Sequence, residues 1–195
     1  MPNKKIAVFC SSMPNENIKY MNLAYKTGKE IAYSKNILVW GGTRQGMMGE
    51  VYRGSNDLGG YEIGVIPKFL DDMGVRATEG VEEIIITENF SKRKDKLLQS
   101  DGFIILPGGF GTLEEIAQAL VQKQIRLINK PIIFINVEGF WDPIFKLFDT
   151  FYDLGTANPD FQMLYKTETD IREAIKYIEQ YDPNKNVIPN KLFIG

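Results

Sequence analysis

The chain contains 195 residues, 44% of them hydrophobic, which suffices for one globular domain that buries roughly 70% of its unfolded surface. Its 23 basic and 25 acidic residues leave a formal net charge of −2, so no overall basic field favours nucleic acid as a partner. No segment approaches the ~18 consecutive apolar residues of a membrane-spanning helix, and the first residues do not form the apolar core of a signal peptide. We therefore predict a cytoplasmic protein that binds neither a membrane nor nucleic acid.

The chain has no histidine, and Cys10 is its only cysteine. These counts exclude a Ser-His-Asp triad, a Cys-His dyad, a His-ligated zinc site and a disulfide within the chain. Acid–base chemistry is left to carboxylates, lysine or tyrosine. Cys10 is predicted to be a small buried residue at a strand end, because no histidine is present to activate it. We expect no metal site and no cofactor, since the remaining potential ligands are scattered carboxylates.

Six apolar segments have the length of strands, and segments with helical spacing fill most of the intervals between them. This alternation predicts an α/β fold, a Rossmann-like three-layer sandwich with a mainly parallel sheet and helices on both faces. We predict one nucleotide-binding domain over residues 1–181 and a polar tail over residues 182–195. The predicted strands are 6–10, 37–40, 63–66, 84–86, 103–106 and 132–135.

The remaining segments differ in how clearly they predict structure. Apolar spacing predicts a helix from Ile18, and a last helix is predicted near residues 168–180. An aromatic-rich helix near Trp141 is predicted to form part of the core or of a subunit face. Residues 68–80 and 153–164 show no clear periodicity and are predicted to be irregular.

Glycine-rich turns follow two of the predicted strands, at residues 41–49 and 107–112. Glycines let the backbone approach a phosphate, and a helix N-terminus offers unpaired N–H groups with a partial positive charge. Neither turn matches the dinucleotide fingerprint G-x-G-x-x-G. Because ligands of open parallel sheets bind outside the carboxyl ends of the strands, the two turns together predict a nucleotide-sized, phosphorylated ligand.

Residues 90–98 are predicted to form a helix that aims positive charge toward the sheet. At 100° per residue, Phe90 and Leu97 share one face of this helix, and Arg93 and Lys94 fall on the same face. A nearby anion would explain these inward-facing cations. The alternative is that their long side chains extend past the apolar surface into solvent.

Glu115 has two interpretations. Residues Thr112 to Glu115 fit the capping-box pattern T-x-x-E, in which Glu115 accepts a hydrogen bond from the backbone N–H of Thr112. Glu115 also projects away from the apolar stripe predicted to begin at Leu113, so spacing alone favours capping over a functional role. A residue at a helix terminus can nevertheless face a ligand that lies over the helix end.

Four separated motifs resemble those of the Lonely Guy family, cytokinin riboside 5′-monophosphate phosphoribohydrolases that were once widely mislabelled lysine decarboxylases. The signature P-G-G-x-G-T-x-x-E is intact over residues 107–115, and the companion R-K pair is present as Arg93-Lys94. The G-G-x-x-x-G-x-M-G turn spans residues 41–49, and G-V-I-P follows at 64–67. The resemblance extends from residue 6 to residue 178.

This resemblance implies hydrolysis of the N-glycosidic bond of a nucleoside 5′-monophosphate to free base and ribose 5-phosphate, by a homodimer with shared active sites. It implies that Arg93 acts near the leaving base and the sugar, and that Glu115 engages the ribose hydroxyls or the attacking water. The residues implied to hold the phosphate are Gly108, Gly109, Gly111 and Thr112. The other predicted substrate contacts are Ser12, Gly42, Lys94 and Pro107.

Departures from the family pattern cluster near the base and the sugar. Phe90-Ser91 stand where the family usually has M-H, and Ser11 stands where it commonly has glycine. Thr43 replaces the usual third glycine of the middle turn. The sequence therefore does not decide whether the base of the substrate is adenine or N6-prenylated adenine.

The sequence leaves one other function open and disfavours a third. A non-catalytic nucleotide carrier or regulator on the same fold, similar to the molybdenum-cofactor carrier proteins, gains support from the altered residues near Phe90 and Cys10. A lysine decarboxylase is disfavoured, because pyridoxal phosphate needs a Schiff-base lysine with an acidic partner for the ring nitrogen, and no such set is recognisable.

Overall fold

A computed structural model describes residues 3–14 and 17–186 of the chain. Seven strands form one sheet in which every neighbouring pair is parallel, in the order β4-β3-β2-β1-β5-β6-β7. The strands are β1 (Lys5–Phe9), β2 (Ile37–Trp40), β3 (Tyr61–Pro67), β4 (Glu83–Thr87), β5 (Gly102–Ile105), β6 (Ile132–Ile135) and β7 (Lys166–Glu168).

Helices cover both faces of the sheet and divide the core into two layers. One layer packs α1, α2 and α7 against the sheet, and the other packs α4, α5 and the aromatic side chains of α6. The helices are α1 (Ile18–Tyr33), α2 (Gly46–Asn56), α3 (Lys68–Asp72), α4 (Phe90–Leu97), α5 (Phe110–Gln124), α6 (Asp142–Asp153) and α7 (Ile171–Gln180), with 3₁₀ turns at Val137–Gly139 and Pro159–Leu164. The predicted three-layer α/β architecture is confirmed.

The strand order creates a crevice at the centre of the sheet. β1 pairs with β5, with Phe9 opposite Ile105, but the chain continues from β1 toward β2 and from β5 toward β6. The loops that leave β1 and β5 therefore diverge to opposite sides at the carboxyl edge of the sheet. This is the topological switch point at which open α/β sheets bind their ligands.

The six predicted strands are present, and 37–40 and 132–135 have the predicted bounds. β7 was missed because it is a three-residue edge strand, Lys-Thr-Glu, with no apolar run to signal it. The segments predicted to be irregular contain the five-residue helix α3, the end of α6 and a 3₁₀ turn. None of the helices within residues 3–14 and 17–186 is long and apolar enough to cross a membrane.

The predicted tail lies mostly outside the part of the chain that the structure describes. α7 ends at Gln180, and residues 182–186 form turns that carry carbonyl acceptors for Asn129. Residues 187–195 lie outside the described residues. The predicted boundary between a domain at 1–181 and a tail at 182–195 therefore stays a prediction.

Helices α1 and α2 pack with their backbones in close contact through a pair of glycines. A Cβ on Gly28 of α1 would lie 1.9 Å from the carbonyl oxygen of Val51, and one on Gly54 of α2 would lie 2.0 Å from that of Tyr25. Each glycine thus faces the backbone of the other helix, where no side chain can move aside. The approach of α2 to α1 depends on both positions.

We expect Gly28→Ala to lower the free energy of unfolding by about 3 kcal/mol, because the added methyl forces the two helix backbones apart. Urea unfolding followed by circular dichroism measures this change. Gly111→Ala is the matched control, since Gly111 is also helical and no described heavy atom lies within 4 Å of its Cβ position. That variant should be unchanged or more stable by up to about 1 kcal/mol. Equal effects of the two substitutions would contradict the close-contact explanation.

Candidate active site

A cleft of about 220 Å³ opens at the switch point, at the carboxyl edge of the sheet. It lies between the segment that follows β1, the glycine turn that follows β2, the first turn of α5, and α4, which supplies its only basic lining side chain among the described residues. The lining residues are Cys10, Ser11, Ser12, Met13, Gly41, Thr43, Met48, Leu70, Phe90, Arg93, Gly109, Phe110, Gly111, Thr112 and Glu115.

Arg93 and Glu115 form a buried ion pair in the wall of this cleft. Arg93 is 6% exposed and Glu115 is 4% exposed, and Arg93 Nη1 donates to Glu115 Oε1 at 2.8 Å. Arg93 Nε donates to the carbonyl oxygen of Val65 in β3 at 3.1 Å, and the guanidinium carbon lies 5.9 Å from the centre of the Phe90 ring. The prediction that Arg93 faces inward is confirmed, and the anion that explains its orientation is Glu115.

Two opposing effects act on the Glu115 carboxyl group. Burial raises its pKa above the usual range, and the neighbouring Arg93 guanidinium acts against that rise. Glu115 Oε2 is buried and has no hydrogen-bond partner among the described residues. Arg93 thus holds one carboxylate oxygen, whereas the other lies buried in the cleft wall.

The predicted role of Glu115 as a helix cap is wrong. α5 begins at Phe110 with Gly109 as its N-cap, so Thr112 lies inside the first turn and not at the N-cap position that the capping box requires, and no side chain caps the helix. The buried face of α5 contains Thr112, Glu115, Ile116, Ala119 and Lys123, whereas Leu113 is exposed. The predicted apolar stripe was therefore rotated away from the true buried face, and Glu115 points into the protein.

The turn that follows β5 brings the helix N-terminus to the cleft. Gly108 packs against Thr112, because a Cβ on Gly108 would lie 2.1 Å from Thr112 Oγ1. No described heavy atom lies within 4 Å of the Cβ positions of Gly109 and Gly111, and no side chain caps the helix. The first N–H groups of an α-helix have no partner within the helix, so this end of α5 presents donors and a partial positive charge to the cleft.

The turn that follows β2 is held in place by close backbone contacts. Gly42 has a φ of +76° and packs on Ile66, and Gly46 has a φ of +55° and packs on the backbone of Met13. The N–H of Met48 donates to the carbonyl oxygen of Ser11 at 3.1 Å. These contacts bring the start of α2 against the segment that follows β1, on the side of the cleft opposite α5.

Cys10 lies at the base of the cleft and is buried. Burial raises the pKa of its thiol, and the nearby Glu115 carboxylate raises it further. A raised pKa disfavours the reactive thiolate, which agrees with the prediction that Cys10 is a structural residue. Within the described residues, no group of three or more cysteine, aspartate or glutamate side chains is placed to hold a metal ion.

The fold brings most of the predicted site residues together, although not all of them line the cleft. Ser12, Arg93, Gly109, Gly111, Thr112 and Glu115 line it, whereas Gly42, Pro107 and Gly108 belong to the turns behind its surface. Lys94 does not line the cleft, and its ammonium group pairs with the Glu114 carboxylate at 2.5 Å. Met48 and Leu70 also line the cleft, and they were missed because Met48 follows the helical pattern of core residues and Leu70 lies in a segment without periodicity.

A protein-family model described as "possible lysine decarboxylase" matches residues 48–178. Cytokinin riboside 5′-monophosphate phosphoribohydrolase LOG7 of Arabidopsis thaliana is 31% identical over 190 residues, covering 97% of this chain and 87% of the relative. The enzyme named LOG from Oryza sativa subsp. japonica is 34% identical over 185 residues, covering 94% of this chain and 76% of the relative. The chain belongs to this phosphoribohydrolase family.

Solved structures share the fold of this family member. The molybdenum cofactor binding protein from Rippkaea orientalis superposes with a TM-score of 0.69 at 22% identity, covering 92% of this chain and 97% of that one. The Moco carrier protein of Chlamydomonas reinhardtii superposes with a TM-score of 0.67 at 26% identity, covering 92% and 98%. The same doubly wound sheet is thus found in proteins whose names describe binding and in relatives whose names describe catalysis.

The buried ion pair gives a prediction for stability. We expect Arg93→Met to lower the free energy of unfolding by about 3 kcal/mol at pH 8, because it leaves the Glu115 carboxylate buried without its cation. The loss should be smaller at pH 5. With Arg93 absent, burial raises the folded-state pKa of Glu115 without opposition, so stability is retained below the unfolded-state pKa and lost as the pH rises through the folded-state pKa.

Urea unfolding at both pH values measures the effect. Lys94→Met is the matched control, because the Lys94–Glu114 pair is partly exposed and should contribute less than about 1 kcal/mol with little dependence on pH. Adding Glu115→Gln to Arg93→Met should remove the pH dependence. An Arg93→Met variant as stable as the parent at pH 8 would contradict this account.

Proposed function

We propose that this protein hydrolyses the N-glycosidic bond of a nucleoside 5′-monophosphate, AMP or N6-prenyl-AMP, to free base and ribose 5-phosphate. The observation that carries this proposal is the buried Arg93–Glu115 pair, which lies in the same cleft as a glycine turn suited to phosphate. The names of the relatives support it, because they describe phosphoribohydrolases of cytokinin riboside 5′-monophosphates. We assign the reaction to the cytoplasm, without a metal or cofactor.

The phosphate is proposed to bind at the N-terminus of α5. Gly109 and Gly111 leave room for close approach, and the backbone N–H groups of the first turn supply donors and a partial positive charge. Ser12 and Thr112 add hydroxyl donors on the cleft wall. Anchoring the phosphate there holds the ribose over Glu115, which lies one turn further along the same helix.

Cleavage of the bond between C1′ and the base nitrogen develops positive charge on the ribose, as in an oxocarbenium ion. The Glu115 carboxylate is proposed to stabilise this charge and to accept a hydrogen bond from a ribose hydroxyl or from the attacking water. Arg93 favours the ionised form of Glu115 and fixes its orientation through Oε1. Water adds to C1′, and its proton leaves with the base, so that the products are free base and ribose 5-phosphate.

The proposed reaction is tested by incubating the purified protein with AMP and with isopentenyl-AMP, and by separating the products chromatographically. Free base and ribose 5-phosphate should appear in equal amounts, and EDTA should not change the rate. Glu115→Gln should lower kcat at least about 100-fold, because it removes the charge that stabilises the ribose. Glu114→Gln is the matched control and should retain activity, since Glu114 is exposed and paired with Lys94. Absence of turnover of every monophosphate, or full activity of Glu115→Gln, would refute the proposal.

A nucleotide carrier is the second candidate, and one observation favours it. The Moco carrier protein of Chlamydomonas reinhardtii shares the fold over 92% of this chain at 26% identity. A carrier binds its ligand without breaking a bond. Calorimetry with a panel of nucleotides separates the two functions, because binding without product would support the carrier and product formation would exclude a purely carrying role.

We further propose that the protein is a homodimer that shares its active sites. Exposed apolar side chains of α5 and α6, among them Val121 and Phe151, border an apolar groove of about 200 Å³. The aromatic side chains Phe148 and Phe151 form one wall of this groove. α5 forms one side of this groove, and the first residue of the same helix is Phe110, which is 92% exposed beside the cleft. A second copy docked on α5 would cover both and would reach the mouth of the cleft.

Light scattering after size-exclusion chromatography tests this assembly. The parent should elute as a dimer, and Val121→Glu should yield monomers, because a charge in the centre of the interface would lose its hydration. Leu58→Glu is the matched control, since Leu58 is 47% exposed, close to the 51% of Val121, and follows α2, which packs on the opposite face of the sheet from α5. A parent protein that is monomeric at all concentrations would contradict the proposal.

A further inference from the structure

Gly41 lies against the end of the Arg93 side chain. It is the first residue after β2, and a Cβ at this position would lie 2.4 Å from Arg93 Nη2 and 2.7 Å from Met48 Sδ. Both distances are shorter than any ordinary contact between heavy atoms. The guanidinium and the Met48 thioether therefore both rest on the backbone of Gly41, in space that a side chain would occupy.

Each nitrogen of the guanidinium contacts a different structural element. Nε donates to Val65 in β3, Nη1 donates to Glu115 in α5, and Nη2 packs on Gly41 at the end of β2. The Met48 side chain also lies against Gly41 and is itself held, because the N–H of Met48 donates to Ser11 and its sulfur lies 3.8 Å from Thr43 Oγ1. The guanidinium position thus depends on the bare backbone at Gly41 as well as on its hydrogen bonds.

We propose that Gly41 is a positioning residue of the active site: the absence of its side chain lets Arg93 reach Glu115. This inference rests on the proposed hydrolase function. Among the glycines of this turn, Gly42 is the predicted substrate contact, whereas Gly41 acts on the site through Arg93. It explains why glycine is required here although the backbone of Gly41 does not adopt the left-handed conformation found at Gly42.

The effect of a methyl group at position 41 depends on the atoms that it would contact. Both nearest groups are the flexible ends of side chains, so Gly41→Ala is expected to fold. Because non-bonded heavy atoms rest about 3.5 Å apart, the guanidinium must move by about 1 Å. A shift of that size along the bond to Glu115 stretches it from 2.8 Å to about 3.8 Å, beyond hydrogen-bonding range.

Kinetics of Gly41→Ala test the role of this residue in the reaction. We expect kcat to fall about 100-fold, since a misplacement of about 1 Å has effects of this size. KM should change by less than about threefold, because the phosphate turn on α5 is not altered. In the Arg93→Lys background, where no Nη2 is present to be struck, Gly41→Ala should lower kcat by less than about threefold. Equal losses in the two backgrounds would overturn the proposal.

A crystal structure of Gly41→Ala provides a test that does not depend on turnover. The separation of Arg93 Nη1 and Glu115 Oε1 should exceed hydrogen-bonding range while the α4 and α5 backbones stay in place. A retained pair at 2.8 Å would overturn the inference, whatever the activity. If the parent protein cleaves no nucleotide, the proposed function fails, and this structure still decides whether Gly41 positions Arg93.

Discussion

Neither Arg93 nor Glu115 could be buried alone at the end of this sheet, because removing a single charge from water costs several kcal/mol. Together they are tolerated, since each neutralises the other and Val65 accepts a further hydrogen bond from the guanidinium. The pair ties α4 to β3 and α5, three elements that are far apart in sequence. The geometry of the cleft wall therefore depends on this one interaction.

The pair also gives the two oxygens of the Glu115 carboxylate different surroundings. One oxygen of Glu115 is fixed by Arg93, and the other has no partner among the described residues. A carboxylate that is oriented but not saturated can stabilise a developing cation without first rearranging. The end of α5 is the proposed phosphate site, so a single helix carries both the proposed phosphate anchor and the proposed catalytic carboxylate.

The crevice exists because the chain reverses its direction of winding between β1 and β5. Apolar strands separated by helical segments were sufficient to predict a parallel sheet, because period and length are local properties. They did not predict β7, whose three residues are stabilised by pairing with β6 rather than by an apolar pattern. They also did not predict which strands are neighbours, since pairing is decided by packing over the whole sheet.

The sequence by itself determined the α/β class, the two glycine turns, the inward direction of Arg93 and the family signature that ends at Glu115. It could not determine the direction in which Glu115 points, because local spacing favoured a helix cap. Only the tertiary structure decided that point, because α5 begins at Phe110 and its buried face turns Glu115 toward Arg93, 22 residues away. A capping pattern is read within one turn of helix, whereas a buried ion pair requires two helices to be packed against the same sheet.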